Sequence, residues 1–171
     1  MPNYCDYSMK IVGSKESCEE FVARLTDYDK PKHFWRIFEA YTDDGGDDRN
    51  GNHTVYISGY CAWSLESCCR ASGYSDGVDL FAVNTEELSL DLEAYSREPG
   101  IEFEEHYIYS KGTCLQDECR EIDVFWWNED EYPAYEDFKA EYPDAPPESD
   151  FDEGGEAYLG GFGDDFCHWH I

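Results

Sequence analysis

The sequence predicts an α+β protein: a ferredoxin-like β-α-β-β-α-β domain built on an antiparallel sheet, with extra strands and an acidic C-terminal extension. Three observations carry that prediction. Residues 4–13 alternate polar and apolar, the period of a half-buried strand. Cys18, Phe21, Val22 and Leu25 then recur at i, i+3, i+4 and i+7, one face of a helix. Further strand-like segments follow as far as Trp127, where the composition changes. The predicted domain covers 1–127 and the extension 128–171.

Taken in order, strand 4–13 ends at Gly13. Ser14 or Ser17 then caps the helix, and Ser17 with Glu20 fits a capping box. Pro31 marks a loop. Residues 33–42, rich in aromatic and β-branched types, read as a strand. The run from Asp43 to Asn52 is a loop, and 53–60 returns as the second arm of a hairpin. A short helix is predicted over 63–71 with Leu65, Cys68 and Cys69 inward, and Asn84 with Glu87 suits one more capped turn. Strands resume at 90–96, turn at Glu98-Pro99-Gly100 into 101–110, turn again at Lys111-Gly112, and end with 119–127. The first six elements follow the split βαβ order.

From Glu129 onward the chain carries fourteen acids and one base, Lys139. Tyr135, Phe138 and Tyr142 fit one face of a short helix that Pro143 stops. The acidic, Gly-rich stretch 148–171 has the composition of a flexible tail. Its aromatics, Phe151, Tyr158, Phe162, Phe166 and Trp169, favour a tail packed on the domain or on a partner.

Forty acids against 12 bases give a formal net charge of -28. Like charges held together destabilise a compact chain, so this excess calls for a cause beyond solubility. A saline habitat, cation binding and a basic partner are the three candidates. Direct nucleic-acid binding is excluded, because phosphates repel such a surface. No apolar run approaches the roughly 18 residues of a membrane span. The first residues lack the basic start and apolar stretch of a secretory signal, so the expected location is the cytoplasm. There the eight cysteines are expected as reduced thiols rather than disulfides.

The segments Ile57-Ser58-Gly59-Tyr60-Cys61-Ala62-Trp63-Ser64, Tyr95-Ser96 and Glu104-Glu105-His106-Tyr107 resemble uncharacterised proteins of gut Firmicutes and their mobile elements. The opening Asn3-Tyr4-Cys5 is similar to the Asn-Trp-Cys start of YubB-like phage and plasmid proteins, with Tyr in place of Trp. The resemblance covers residues 3–112. It implies a ferredoxin-like domain and a mobile-element setting, and it brings no activity and no functional residues.

Candidate sites divide by chemistry. Cys114, Cys119, Cys167, His168 and His170 are candidate zinc ligands, although Cys114 and Cys119 lack the common two-residue spacing. The acids Asp43, Asp44, Asp47 and Asp48 lack the ligand pattern of a calcium loop. Glu102, Glu104 and His106 share a strand face beside Asp91 and Glu93, which admits acid–base chemistry. No phosphate loop and no nucleophile elbow is present. No catalytic residue and no cofactor is therefore assigned.

The same carboxylates admit a second reading. Alternate strand positions lie about 6.6 Å apart, comparable to successive phosphates. Asp91, Glu93, Glu102 and Glu104 would then form an array of negative charge, extended by Glu129, Asp130, Glu131, Asp150, Asp152, Glu153, Asp164 and Asp165. Trp126, Trp127 and Tyr135 would supply aromatic anchors. The expected function is a non-enzymatic inhibitor that mimics nucleic acid toward a basic nucleic-acid-binding protein. Given the resemblance, a phage-encoded inhibitor of a CRISPR effector or other defence nuclease is its most concrete form. A zinc protein or enzyme using the C-terminal Cys and His residues, and a small acidic housekeeping module, are the alternatives.

Overall fold

A computed structural model of the chain describes residues 3–70, 75–100 and 102–171. Strand β1 (Tyr4–Gly13) leads into helix α1 (Lys15–Thr26), and strands β2 (Ile37–Asp47) and β3 (His53–Ala62) form a hairpin. Helices α2 (Leu65–Cys69) and α3 (Leu80–Leu88) precede strands β4 (Asp91–Glu98), β5 (Phe103–Ser110) and β6 (Thr113–Trp126). Helix α4 (Tyr135–Glu141) and strand β7 (Glu156–Gly160) belong to the acidic extension. Residue 71, the expected end of the second helix, and residue 101, the expected start of a strand, lie outside the described residues.

All neighbouring strands are antiparallel, in the order β2-β3-β1-β4-β5-β6-β7. This corrects the expected ferredoxin-like domain. The molecule is a strand-rich fold whose seven strands curl into a half-barrel, with four helices among the described residues, and it is not a β-α-β-β-α-β domain. The order of the first elements in sequence did not reveal how many later strands join the same sheet. Strand β6 is fourteen residues long and serves two partners in succession. Its first part pairs with β5, and Ile122 to Trp126 pair with β7.

One sheet face packs on α1, α2 and α3. Period-two alternation sends Cys5, Tyr7, Met9 and Ile11 of β1 into this core. Helix α1 meets them with Cys18, Phe21 and Leu25, and α3 with Leu80 and Phe81. The Ser14 side chain accepts from Ser17 N at 3.1 Å, so Ser14 rather than Ser17 caps α1. Asp79 caps α3, which places Asn84 inside that helix; its amide accepts from the buried Arg24 at 2.8 Å. Glu105, also on this face, takes the N–H groups of Leu65 and Glu66 at 2.8 and 3.0 Å and so holds the start of α2. Burial pushes the Glu105 carboxyl above its usual range, and hydrogen bonds from Ser96 and Tyr107 oppose that rise.

Strand β2 runs past its expected end, through Asp43, Asp44 and Gly46 to Asp47. It is an edge strand, where exposed acids cost little and discourage pairing with another sheet. Its backbone passes close over β3: a Cβ on Gly59 would stand 1.9 Å from Glu39 O. Gly59→Ala is therefore expected to destabilise the fold by about 1–3 kcal/mol, as overpacking does. Urea unfolding checks this, with a lower midpoint at unchanged slope as the expected outcome.

Candidate functional site

The second sheet face is covered over β4 and β5 by the end of the chain. There β4 presents Glu93, Tyr95 and Arg97 toward the same side on which β5 presents Ile108, His106 and Glu104, paired in that order. Residues 161–171 lie across them as a strap. Phe162, Phe166 and Trp169 place their rings 5.9, 5.4 and 5.6 Å from that of Tyr95. The Tyr95 hydroxyl donates to His168 O at 3.0 Å.

Two buried carboxylates fasten the strap. Glu104 Oε2 accepts from Phe162 N at 2.7 Å, while its Oε1 takes the Arg97 guanidinium at 2.5 Å. That guanidinium in turn lies 4.0 Å from the ring centre of Tyr158 and 4.2 Å from that of Phe166. Glu93 is 0% exposed. Its Oε2 accepts from His170 N at 2.6 Å and Ile171 N at 3.2 Å. Its Oε1 meets His106 Nε2 at 2.8 Å and His170 Nδ1 at 2.7 Å. Burial would raise the Glu93 carboxyl, but the hydrogen bonds from His170, His106 and Ile171 hold it below its usual value. Burial lowers His106. A cavity of about 290 Å³ opens beside these groups, lined in part by Gln116, Glu118, Arg120 and Asp165.

A second arrangement forms where β6 ends. Trp126, Trp127, Asn128 and Glu129 face the Asp152-Glu153-Gly154-Gly155 turn across a pocket of about 380 Å³. Asp152 Oδ1 accepts from Gly154 N and Glu156 N at 2.8 and 2.9 Å, which shapes the turn. Gly155 has φ 76°, and a Cβ there would stand 2.2 Å from Trp127 O, so only glycine fits. Behind the pocket Trp127, Tyr135, Phe138 and Phe151 form an aromatic cluster with centroid separations of 5.6–6.3 Å. Trp126 remains 59% exposed. Every Asp and Glu from Glu129 to Glu153 is exposed. Lys139, the one base of that stretch, donates to Ala145 O.

The predicted residues therefore separate. Trp126, Trp127, Glu129, Asp152 and Glu153 come together around one pocket. Asp130, Glu131 and Asp150 are exposed on the same module, and Tyr135 belongs to its aromatic cluster. Asp164 and Asp165 are exposed on the strap. The expected array on the strand face is corrected: Glu93 and Glu104 are buried beneath the strap, Glu102 sits in the turn before β5, and Asp91 is half-buried against Ser110. Period two cannot tell a solvent face from one covered by a distant segment.

The expected zinc ligands are likewise dispersed. Cys114 and Cys119 are exposed on β6, and Cys167 is half-buried. Among the described residues, the ligand atoms that converge are those of Glu93, His106 and His170, all within 4.8 Å of one another. Phe162 and Phe166, expected to pack on the domain or on a partner, pack on Tyr95, while no local pattern marks Gly154, Gly155 and Tyr95 as site residues. The aromatics repeated through an acidic, Gly-rich tail were the signal for those two phenylalanines.

Comparison with protein-family models, with curated proteins and with solved structures gave no match. No helix among the described residues is long and apolar enough to cross a membrane.

Replacing the buried Glu104 leaves the half-buried Arg97 guanidinium and the Phe162 N–H without their carboxylate. Glu104→Gln is thus expected to destabilise the protein by about 1–3 kcal/mol. Glu131→Gln, at an exposed site, should stay within about 0.5 kcal/mol of the parent. Equilibrium denaturation of both variants compares them directly; equal effects would contradict the strap's anchoring.

Proposed function

We propose that this protein is a non-enzymatic, acidic binding protein that occupies the cationic nucleic-acid site of another protein. One observation carries the reading: an aromatic-floored, acid-rimmed pocket stands on a packed module whose acids are all exposed from Glu129 to Glu153. A partner's Arg side chain matches that pocket. Its guanidinium stacks on Trp126 while Glu129 and Glu153 take its N–H groups.

The molecule's own cations support the reading. Arg24, Lys30 and Lys32 pair with Glu20 and Glu87, Arg70 with Glu66 and Asp117, and Arg97 with Glu104. Each of these cations already has a carboxylate of its own, Arg97 included, which lies beside β7 with its guanidinium over the Tyr158 ring. The module therefore presents a negative field with little local opposition, which accelerates encounter with a basic groove. Because the aromatic cluster and the Asp152 turn hold the acids in place, little conformational freedom is lost on binding. A defence nuclease or CRISPR effector in a mobile-element setting, acting in the cytoplasm, is the most concrete partner.

Deleting the whole extension is a poor test, since β7 and the strap are part of the fold. Charge neutralisation on the surface separates binding from folding. The purified chain, immobilised, is expected to retain a basic nucleic-acid-binding protein from nuclease-treated lysate, and duplex DNA is expected to displace it. The combined variant Glu129→Gln, Asp130→Asn, Glu131→Gln, Glu153→Gln should lose that retention. Retention that DNA does not displace, or that survives neutralisation, sinks the proposal. Against the captured partner, Trp126→Ala is expected to weaken affinity by about 30-fold or more, the loss typical of a buried aromatic anchor. Surface-plasmon measurements read this directly.

A further inference from the structure

We infer that Glu93, His106 and His170 form a binding site for a divalent first-row transition metal, zinc foremost, which clamps the C-terminal strap to the sheet. This inference is independent of the acidic pocket. The donor set is two imidazole nitrogens and one carboxylate oxygen. Such a set suits zinc and its neighbours, and disfavours calcium or magnesium, which take oxygen ligands.

The geometry is close to what an ion requires. Metal bonds of about 2.0–2.2 Å to nitrogen and oxygen place neighbouring ligand atoms of a tetrahedral site about 3.4 Å apart. Glu93 Oε1 lies 2.8 Å from His106 Nε2 and 2.7 Å from His170 Nδ1, so each pair must open by about 0.6 Å to admit the ion, a movement that the half-exposed His170 side chain can make. All three ligand atoms fall within 4.8 Å. The ion takes the place of the two imidazole protons that otherwise face Oε1.

Two of the three ligands, Glu93 and His106, are held from behind, as metal ligands commonly are. Glu93 Oε2 is fixed by the N–H groups of His170 and Ile171, which leaves Oε1 to point at the imidazoles. The His106 ring lies flat on Tyr95, with centroids 4.1 Å apart and planes 5° from parallel. Tyr95 is itself tied to the strap through His168 O. The side chain of His170 is 52% exposed, which gives an ion an entry path. The adjoining cavity of about 290 Å³, with Glu118 and Asp165 in its lining, leaves room for a water as fourth ligand.

The charge balance points the same way. Glu93 is fully buried, yet its hydrogen-bond partners are two imidazoles and two backbone N–H groups. The cation opposite it in the ladder, Lys10, donates instead to Ile171 O. A buried carboxylate is held best by a full positive charge, and a divalent ion supplies one.

The test uses the full-length chain, stripped with a chelator and titrated calorimetrically with zinc and, for its visible spectrum, with cobalt. One equivalent per chain is expected to bind. His170→Ala, at a half-exposed position whose backbone N–H still reaches Glu93, should weaken zinc binding on the order of 100-fold. The triple variant Cys114→Ser, Cys119→Ser, Cys167→Ser should bind as the parent does. Backbone hydrogen exchange over 162–171 should slow on adding zinc to the parent and not to His170→Ala. Absence of stoichiometric binding at micromolar zinc overturns the inference. So does binding that survives His170→Ala, or that disappears in the cysteine variant.

Discussion

The fold depends on two carboxylates that the sheet cannot satisfy by itself. Glu93 and Glu104 stand on the outer face of β4 and β5, and both are buried. A buried charge without partners is strongly unfavourable. Within the sheet, Arg97 meets one oxygen of Glu104 and His106 one of Glu93, and the other oxygens take N–H groups from the far end of the chain: those of Phe162, His170 and Ile171. Each half supplies groups that the other needs. The strap, rich in Gly and acids, has no core of its own, and the sheet face beneath it would expose Tyr95 and leave Glu93 without these donors. These contacts span 58 to 78 residues, and the closure of such long loops is an entropic cost that the hydrogen bonds and ring contacts must offset.

Much of the first half was legible because local rules and tertiary packing agree there. Strand β1 has its expected limits, α1 buries the face that its periodicity marks, and β3 starts at His53 as read. Disagreement begins where a residue's surroundings come from distant chain. The acids and glycines at 43–47 carry turn chemistry, yet an exposed edge beside β3 keeps them extended. Asn84 and Glu87 have the spacing of a cap, but Asp79 caps the helix earlier and Asn84 serves the buried Arg24. Glu93, Glu104 and His106 carry the alternation of a wet face. Only the return of Phe162 and Phe166 makes that face dry, and no local pattern in β4 or β5 records it.

The candidate pocket was legible to a different degree. Composition alone marked Trp126, Trp127 and the acids of the extension as a group, because aromatics interleaved with carboxylates suit an interface. It could not show that residues 126–129 and 152–155, more than twenty positions apart, would face one another. That meeting is made by the β6–β7 ladder, in which Trp126 pairs with Glu156, and by Trp127 N donating to Gly155 O at 2.7 Å. The close approach requires Gly155. A single glycine thus determines whether two sequence-local features become one site.

The pocket and the strap are mechanically linked through β7. The strand enters from the Asp152 turn that walls the pocket and leaves into the strap that Glu104 and Glu93 hold. With only five residues, β7 forms a short ladder, and such a strand holds its register weakly unless both ends are fixed. The turn fixes one end and the buried carboxylates fix the other. The chain between the Asp152 turn and Phe162 is thus fixed at both of its ends. Because pre-organisation strengthens binding without adding a contact, the buried end of the chain sets how rigidly the exposed acids are presented. The charge that looks superficial in composition is, in the folded molecule, positioned from within.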